Sequence, residues 1–349
     1  MQRLRRSDPS VPGITRRRSG RGFTYLDDRG RRVSDPEALA RIRALAIPPA
    51  WTDVWISAMP MGHLQAVGTD AAGRRQYRYH DRWRLRRDQQ KFDRMLRFAE
   101  ELPRLRSVTS EHLAQADLTR ERVLACATRL LDRGFFRIGS ESYAESNGTY
   151  GLATLRRGHV RLGEGGLVTF EYPAKGAKIA EQAVVDPEVH EVVARLKRRR
   201  GDHGLLAYRE GRRWRDIRSD EINDYLKEIA GEEFSAKDFR TWHGTVLAAV
   251  ALAVAAPASR SRTAAKRAMS WAVKDVAHYL GNTPAVCRAS YIDPRVFDRY
   301  RSGWTIAGVL DELGTDRRDD PGAQSEIDAA VIDLIRNDTS SDALEHVAA

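Results

Sequence analysis

The chain has 349 residues, long enough for two compact units that each bury a core, and its 59 Lys and Arg against 48 Asp and Glu give a formal net charge of +11. The excess is uneven: residues 311–349 hold eleven acids against three arginines, which leaves +19 on residues 1–310, a balance that suits a polyanionic partner. Two distant cysteines, Cys126 and Cys287, exclude a disulfide framework or zinc site, and the longest apolar run, 246–256, falls well short of the roughly 18 to 20 residues that span a bilayer.

Residues 1–21 are rich in Arg, Ser, Gly and Pro and read as a flexible basic arm, with no apolar region of the kind that directs secretion. A cytoplasmic protein is therefore expected. Strand-like runs at 23–26, 51–56, 63–67 and 76–79 alternate with turn signals such as Asp28-Arg-Gly30, predicting a small antiparallel sheet domain over 22–80. Ser34-Asp-Pro-Glu37 offers a cap and early proline for one short helix through Leu45. From about Trp83 the spacing turns helical, through Leu102 and again over 118–133, opening a mainly helical domain over 81–310. Within it, 160–162 and 167–172 flank the hairpin turn Gly163-Glu-Gly-Gly166, a third strand follows at 179–185, and Asp186-Pro187 starts a helix over 188–199. Further helices are expected at 219–230, 236–256 and 263–280. Residues 311–349 read as a solvated acidic segment, and the basic clusters Lys197-Arg-Arg-Arg200 and Arg212-Arg-Trp-Arg215 as solvated faces that touch backbone phosphate. The fold class is α+β.

Cutting and rejoining a nucleic-acid strand needs a nucleophile, stabilisation of a five-coordinate phosphorus, a proton donor for the leaving 5′ oxygen and storage of the bond energy. A tyrosine ester stores that energy, and a planar guanidinium donates two hydrogen bonds to phosphoryl oxygens while staying charged. Any single tyrosine or arginine among so many is by default a packing or surface residue, so order and spacing must select them. Four segments do so. They are Phe135-Phe-Arg-Ile-Gly-Ser-Glu-Ser-Tyr143, Phe170-Glu-Tyr-Pro-Ala-Lys-Gly-Ala-Lys178, Ala236-Lys-Asp-Phe-Arg-Thr-Trp-His-Gly-Thr245 and Leu280-Gly-Asn-Thr-Pro-Ala-Val-Cys-Arg-Ala-Ser-Tyr-Ile-Asp-Pro294. In kind and order they resemble the type IB DNA topoisomerases of the compact bacterial and poxvirus-like branch. That resemblance implies Tyr291 as nucleophile, Arg137 and Arg240 as the catalytic arginines, Lys237 as an assisting donor and Lys175 as general acid, with Lys178 its rival. Asn282 stands where many members carry histidine and still offers a hydrogen-bond donor. His243 is read as a supporting group and His278 as structural.

The N-terminal unit resembles the same family through Ile47-Pro-Pro-Ala-Trp-Thr-Asp-Val-Trp55 and the stretch from Gly62 to His80. The resemblance implies a clamp that closes over duplex DNA, with Gln76, Tyr77 and Tyr79 at groove and backbone, Arg78, Arg82, Arg84 and Arg87 on phosphates, and Tyr143 near the bases at the cleavage site. Its implied activity is relaxation of supercoils through a 3′-phosphotyrosyl ester, by a monomer that needs neither nucleotide nor metal and has no membrane partner. A tyrosine recombinase shares much of this constellation but shows His-x-x-Arg where this chain has Lys237-Asp-Phe-Arg240. A non-catalytic DNA-binding module explains the charge but not the four segments.

Overall fold

A five-stranded antiparallel sheet organises the N-terminal part of the computed structural model, which describes residues 3–176, 178–200, 204–258, 261–314 and 321–346. The chain divides into two compact units, 1–93 and 94–349. In the first, β1 (Ile14–Ser19), β2 (Gly22–Leu26), β3 (Thr52–Ile56), β4 (Leu64–Thr69) and β5 (Arg75–Tyr79) pair in the order β2-β1-β3-β4-β5. Helix α1 (Pro36–Ala44) starts where the Asp35 carboxylate accepts from the Glu37 and Ala38 amides. Its Ile42 joins Ile14, Val54, Ile56 and Ala66 in the core of this unit.

The arm expected over 1–21 is corrected by β1, which pairs with β2 from Thr15↔Leu26 to Ser19↔Gly22 and with β3 at Ile14 and Thr15. A backbone ladder, rather than apolar side chains, orders this arginine-rich strand. Arg16 adds a fork onto the Ile47 and Trp51 carbonyls at 3.2 and 2.6 Å and lies over the Phe23 ring. Farther upstream, Arg5 exchanges backbone bonds with Met61 and His63, and the Ser7 amide donates to His63 Nδ1 at 2.9 Å.

Helix α2 (Asp81–Leu113) contains the division between the units. It runs through Pro103 instead of stopping at Leu102, because Leu102 and Leu105 are buried on either side of the proline and offset its lost hydrogen bond. In the second unit follow α3 (Arg120–Gly134) and α4 (Glu141–Asn147), then the sheet β6 (Val160–Leu162), β7 (Leu167–Ala174) and β8 (Lys178–Val185). Next come α5 (Pro187–Lys197), a hairpin of β9 (Ala207–Glu210) and β10 (Arg213–Asp216), α6 (Ser219–Ala230) and α7 (Ala236–Ala255). The chain continues with α8 (Arg262–Leu280), α9 (Pro284–Ser290), α10 (Pro294–Arg301), β11 (Trp304–Thr305), α11 (Ala307–Leu313), α12 (Pro321–Arg336) and β12 (Glu345–His346). Helix α7 is the axis of the unit, buried from Phe239 through Val246 to Ala253, as its apolar sequence requires.

Two further expectations are corrected here. The acidic C-terminal segment is not a solvated tail: α12 buries Ala323, Ala330, Val331, Leu334 and Ile335, and β12 pairs with β11. In the cluster at 197–200, Arg199 is buried and bonds the carbonyls of Leu196, Gly204 and Leu205, so it serves the fold rather than a solvated face. Among the described residues no helix is long and apolar enough to cross a membrane.

Candidate active site

The backbone sets the first arginine. Helix α3 ends at Gly134, and Phe135 takes a left-handed conformation at φ 56°, which turns its carbonyl toward Arg240 Nη1 at 2.7 Å. Beyond it, the Arg137 and Ile138 carbonyls accept from the Leu152 and Ala153 amides, both at 2.8 Å. Gly139 and Gly151 cross so closely that a Cβ on Gly151 would lie 2.5 Å from the Gly139 backbone. With its main chain held on both sides, Arg137 directs Nη2 to Asn282 Oδ1 at 2.7 Å and to the Gly281 carbonyl at 2.9 Å.

Arg240, on α7, reaches the same helix end, donating from Nη2 to the Leu280 carbonyl at 2.7 Å. The end of α8 thus gathers both guanidinium groups, because the last carbonyls of a helix lack partners and carry the negative end of its dipole. Among the described residues neither arginine forms an ion pair with a carboxylate. Arg240 is 5% exposed, and among the described residues its Nε has no hydrogen-bond partner. Burial lowers its pKa, the charge of Arg137 adds to the effect, and Tyr291 works against it. Two cations held together in a poorly solvated setting are matched to an anion with several acceptor oxygens, such as a phosphodiester.

Tyr291 completes the cluster. Thr283 and Pro284 start α9, and Tyr291 ends it, its amide donating to the Cys287 carbonyl at 2.9 Å. The ring lies 5.3 Å from Arg240 Cζ. Gly244, one turn beyond Arg240 on α7, packs directly on this turn: a Cβ there would lie 2.5 Å from the Tyr291 carbonyl oxygen. Thr245 Oγ1 donates to the Thr241 carbonyl at 2.9 Å and receives the Asp293 amide at 3.1 Å. One helix therefore fixes both the arginine and the tyrosine-bearing turn.

The structure brings together Arg137, Arg240, Asn282 and Tyr291. The lysines are placed differently. Ala174↔Lys178 closes the β7–β8 ladder, so Lys178 begins a strand and Lys175 stands in the turn, both exposed. Lys237 is exposed in the first turn of α7. Among the described residues no hydrogen bond or ion pair joins these lysines to the cluster. His243 is buried behind it, its ring 5.1 Å from Phe135 and its Nε2 3.8 Å from Asp132, whereas His278 is exposed on α8 and is not a core group.

Three contributors escaped the sequence reading. Gly244 is one. Cys287, one turn before Tyr291, is buried, and burial raises its thiol pKa against the pull of Arg240 and Arg137. Tyr172 is the third: packed beside Phe136, it donates to Gln182 at 2.8 Å, and burial pushes its phenol up to about 12 despite both arginines. Tyr172 is thereby kept protonated and enclosed, while Tyr291 is only partly buried. The alternation of Phe170 and Tyr172 along β7 was the available signal.

In the N-terminal unit, β5 divides its residues by the two-residue period of a strand. Tyr77 and Tyr79 are exposed and stacked with ring centroids 6.2 Å apart, and Arg75 shares their face. On the other face, Gln76 binds Asp70 at 2.9 Å and Arg78 binds the Ala46 carbonyl at 3.2 Å, so both are engaged within the protein. Arg84 lies 3.9 Å from Asp81, and Arg87 is exposed. Arg82 lines a cleft of about 760 Å³ with Arg3, Arg5, Arg6, Arg86, His63 and Trp83. Tyr143 stands on α4, and its side chain lies outside the described residues.

Residues 80–310 match the family described as eukaryotic DNA topoisomerase I, catalytic core, and residues 22–70 match that described as bacterial DNA topoisomerase IB, N-terminal domain. A protein of Acanthamoeba polyphaga mimivirus named DNA topoisomerase 1B is 28% identical over 299 residues, which is 84% of this chain and 88% of that protein.

Proposed function

We propose that this chain, which belongs to the type IB DNA topoisomerase family, carries out its chemistry at the cluster built around Tyr291. The protein is an isomerase: it relaxes supercoiled duplex DNA by transient cleavage of one strand through a 3′-phosphotyrosyl ester, followed by religation. In our reading Tyr291, once deprotonated, attacks the phosphorus in line. Arg137 and Arg240, with Asn282, hold the non-bridging oxygens as charge develops, and the bond from phosphorus to the 5′ oxygen breaks. Lys175 supplies the proton to that oxygen, helped by Lys237. Reversal by the free 5′ hydroxyl restores the strand, and conservation of the ester energy removes any need for nucleotide or metal.

The observation that carries this assignment is the buried Arg240, bonded to the Phe135 and Leu280 carbonyls and lying against the Tyr291 ring beside the Arg137–Asn282 pair. Lys175 is preferred to Lys178 because it lies in the hairpin turn, free of the strand ladder. The proposal extends to Tyr77, Tyr79 and Arg75 at the DNA groove, Arg82, Arg84 and Arg87 on phosphates, and Tyr143 near the bases. It has the enzyme act as a cytoplasmic monomer, with residues 22–80 as a DNA-clamp domain and residues 81–310 as the catalytic domain.

A substrate whose bridging 5′ oxygen is replaced by sulfur tests the proton donor, since a thiolate leaves without protonation. Lys175→Ala is expected to cleave the ordinary strand slowly and the sulfur-bridged strand at the wild-type rate. The same rescue in Lys178→Ala, and none in Lys175→Ala, would transfer the role. Peptide mapping of the denatured adduct is expected to locate the DNA on Tyr291, and mapping to another tyrosine would overturn the site.

A further inference from the structure

Helix α12 lies beyond the residues matched to the catalytic core, in the segment whose acidity alone suggests a solvated tail. One of its acids is not solvated. Asp328 is 4% exposed; its Oδ1 accepts from Trp242 Nε1 at 2.9 Å and Gln324 Nε2 at 3.0 Å, and its Oδ2 from Arg106 Nη1 at 2.7 Å. Arg106 also forks onto Asp132 at 2.8 and 3.0 Å. Trp242 and His243 follow Arg240 by two and three residues on α7. Nearer the C-terminus of α12, the Leu334 carbonyl accepts from Arg299 Nε at 3.2 Å, on the helix that begins three residues after Tyr291.

We infer that Asp328 is a positioning residue, which fixes the rotation of α7 through Trp242 and thereby sets Arg240 beneath the Tyr291 ring. Two residues along an α-helix turn the side chain by about 200°, so the face held by α12 lies nearly opposite the face presented to the tyrosine. Much of α7 beyond Gly244 is alanine and valine, whose small side chains pack in several rotations at similar energy, whereas an indole N–H donating to a fixed carboxylate has one direction. Stability alone does not explain the arrangement. Burial raises the Asp328 pKa despite Arg106, and a buried charge of this kind is weak grounds for added stability, whereas in some proteins such groups fix one packing.

The inference rests on Arg240 acting at the phosphate, so Arg240→Ala is the control: if that variant cleaves normally, the active-site reading fails rather than this one. The test measures single-turnover adduct formation at saturating DNA, together with DNA affinity in a Tyr291→Phe background. Asp328→Ala and Trp242→Phe are expected to slow adduct formation by about 10- to 100-fold, the scale of a displacement near 1 Å, with affinity changed less than about twofold. Asp328→Asn keeps an oxygen for the indole and is expected to recover most of the rate. If Asp328→Ala does not fold, Trp242→Phe, which keeps the ring volume, decides the matter. Wild-type cleavage rates in Trp242→Phe, or slowing in Asp328→Asn equal to that in Asp328→Ala, would overturn the route through Trp242.

Discussion

Gly244→Ala is a small change with a large expected effect on catalysis. The added Cβ would lie 2.5 Å from the Tyr291 carbonyl oxygen and 3.1 Å from its Cβ, where ordinary van der Waals separations begin at 3.4 Å. One partner is the backbone of α7 and the other a turn tied down by Thr245 and Asp293, so neither is a side chain that can rotate away. Relief requires the tyrosine turn and α7 to part by about 1 Å, a misplacement that costs on the order of 100-fold in rate. Overpacking costs about 1–3 kcal/mol of stability, yet replacing a helical glycine by alanine returns about 1 kcal/mol. The melting temperature should therefore fall modestly while adduct formation at saturating DNA falls steeply. A variant that cleaves at the wild-type rate would refute the claim that Gly244 sets the tyrosine against Arg240.

Asn282→Ala removes the acceptor of Arg137 Nη2 and should slow cleavage by about 100-fold, with Asn282→His recovering much of the rate; equal rates in single-turnover assays would remove Asn282 from the site. Replacing Arg3, Arg5 and Arg6 by alanine should lower the slope of log affinity against log salt by about 0.9 for each phosphate that is no longer neutralised; an unchanged slope would exclude the cleft from DNA binding. Burial acts to raise the Asp132 carboxyl, but the charge and hydrogen bonds of Arg106, with His243 nearby at 3.8 Å, overcome it and hold the group below the ordinary range. A depressed carboxylate contributes stability above its unfolded pKa of about 4 and loses it as pH falls, while the raised Asp328 acts in the opposite sense. Asp132→Asn should thus lower the melting temperature at pH 7 and matter less near pH 3; a constant difference across that range would contradict the assignment.

What the sequence disclosed depended on how local each signal was. Arg137, Arg240, Asn282 and Tyr291 sit in contiguous motifs whose order survives without a structure, and β2 to β5 are short strand-like runs bounded by turn residues. The strand β1 was hidden because Ile14 is its one buried residue and its order comes from backbone pairing with β2. Asp328 could not be separated from ten other acids, since Trp242 and Arg106 lie 86 and 222 residues away in the chain. Gly244 looked like any glycine between His243 and Thr245, because its need arises from a turn 47 residues later. In α2, a proline that would stop an isolated helix is carried by leucines buried on both sides, a balance that pattern alone does not weigh.

The most direct test is relaxation of supercoiled plasmid in EDTA without ATP, comparing the wild-type protein with Tyr291→Phe and trapping any covalent adduct by denaturation. The wild-type protein is expected to remove positive and negative supercoils and to carry DNA through a 3′ phosphate, and the variant to lose both relaxation and adduct while still binding DNA. Relaxation or adduct formation that persists in Tyr291→Phe would contradict the account at its centre.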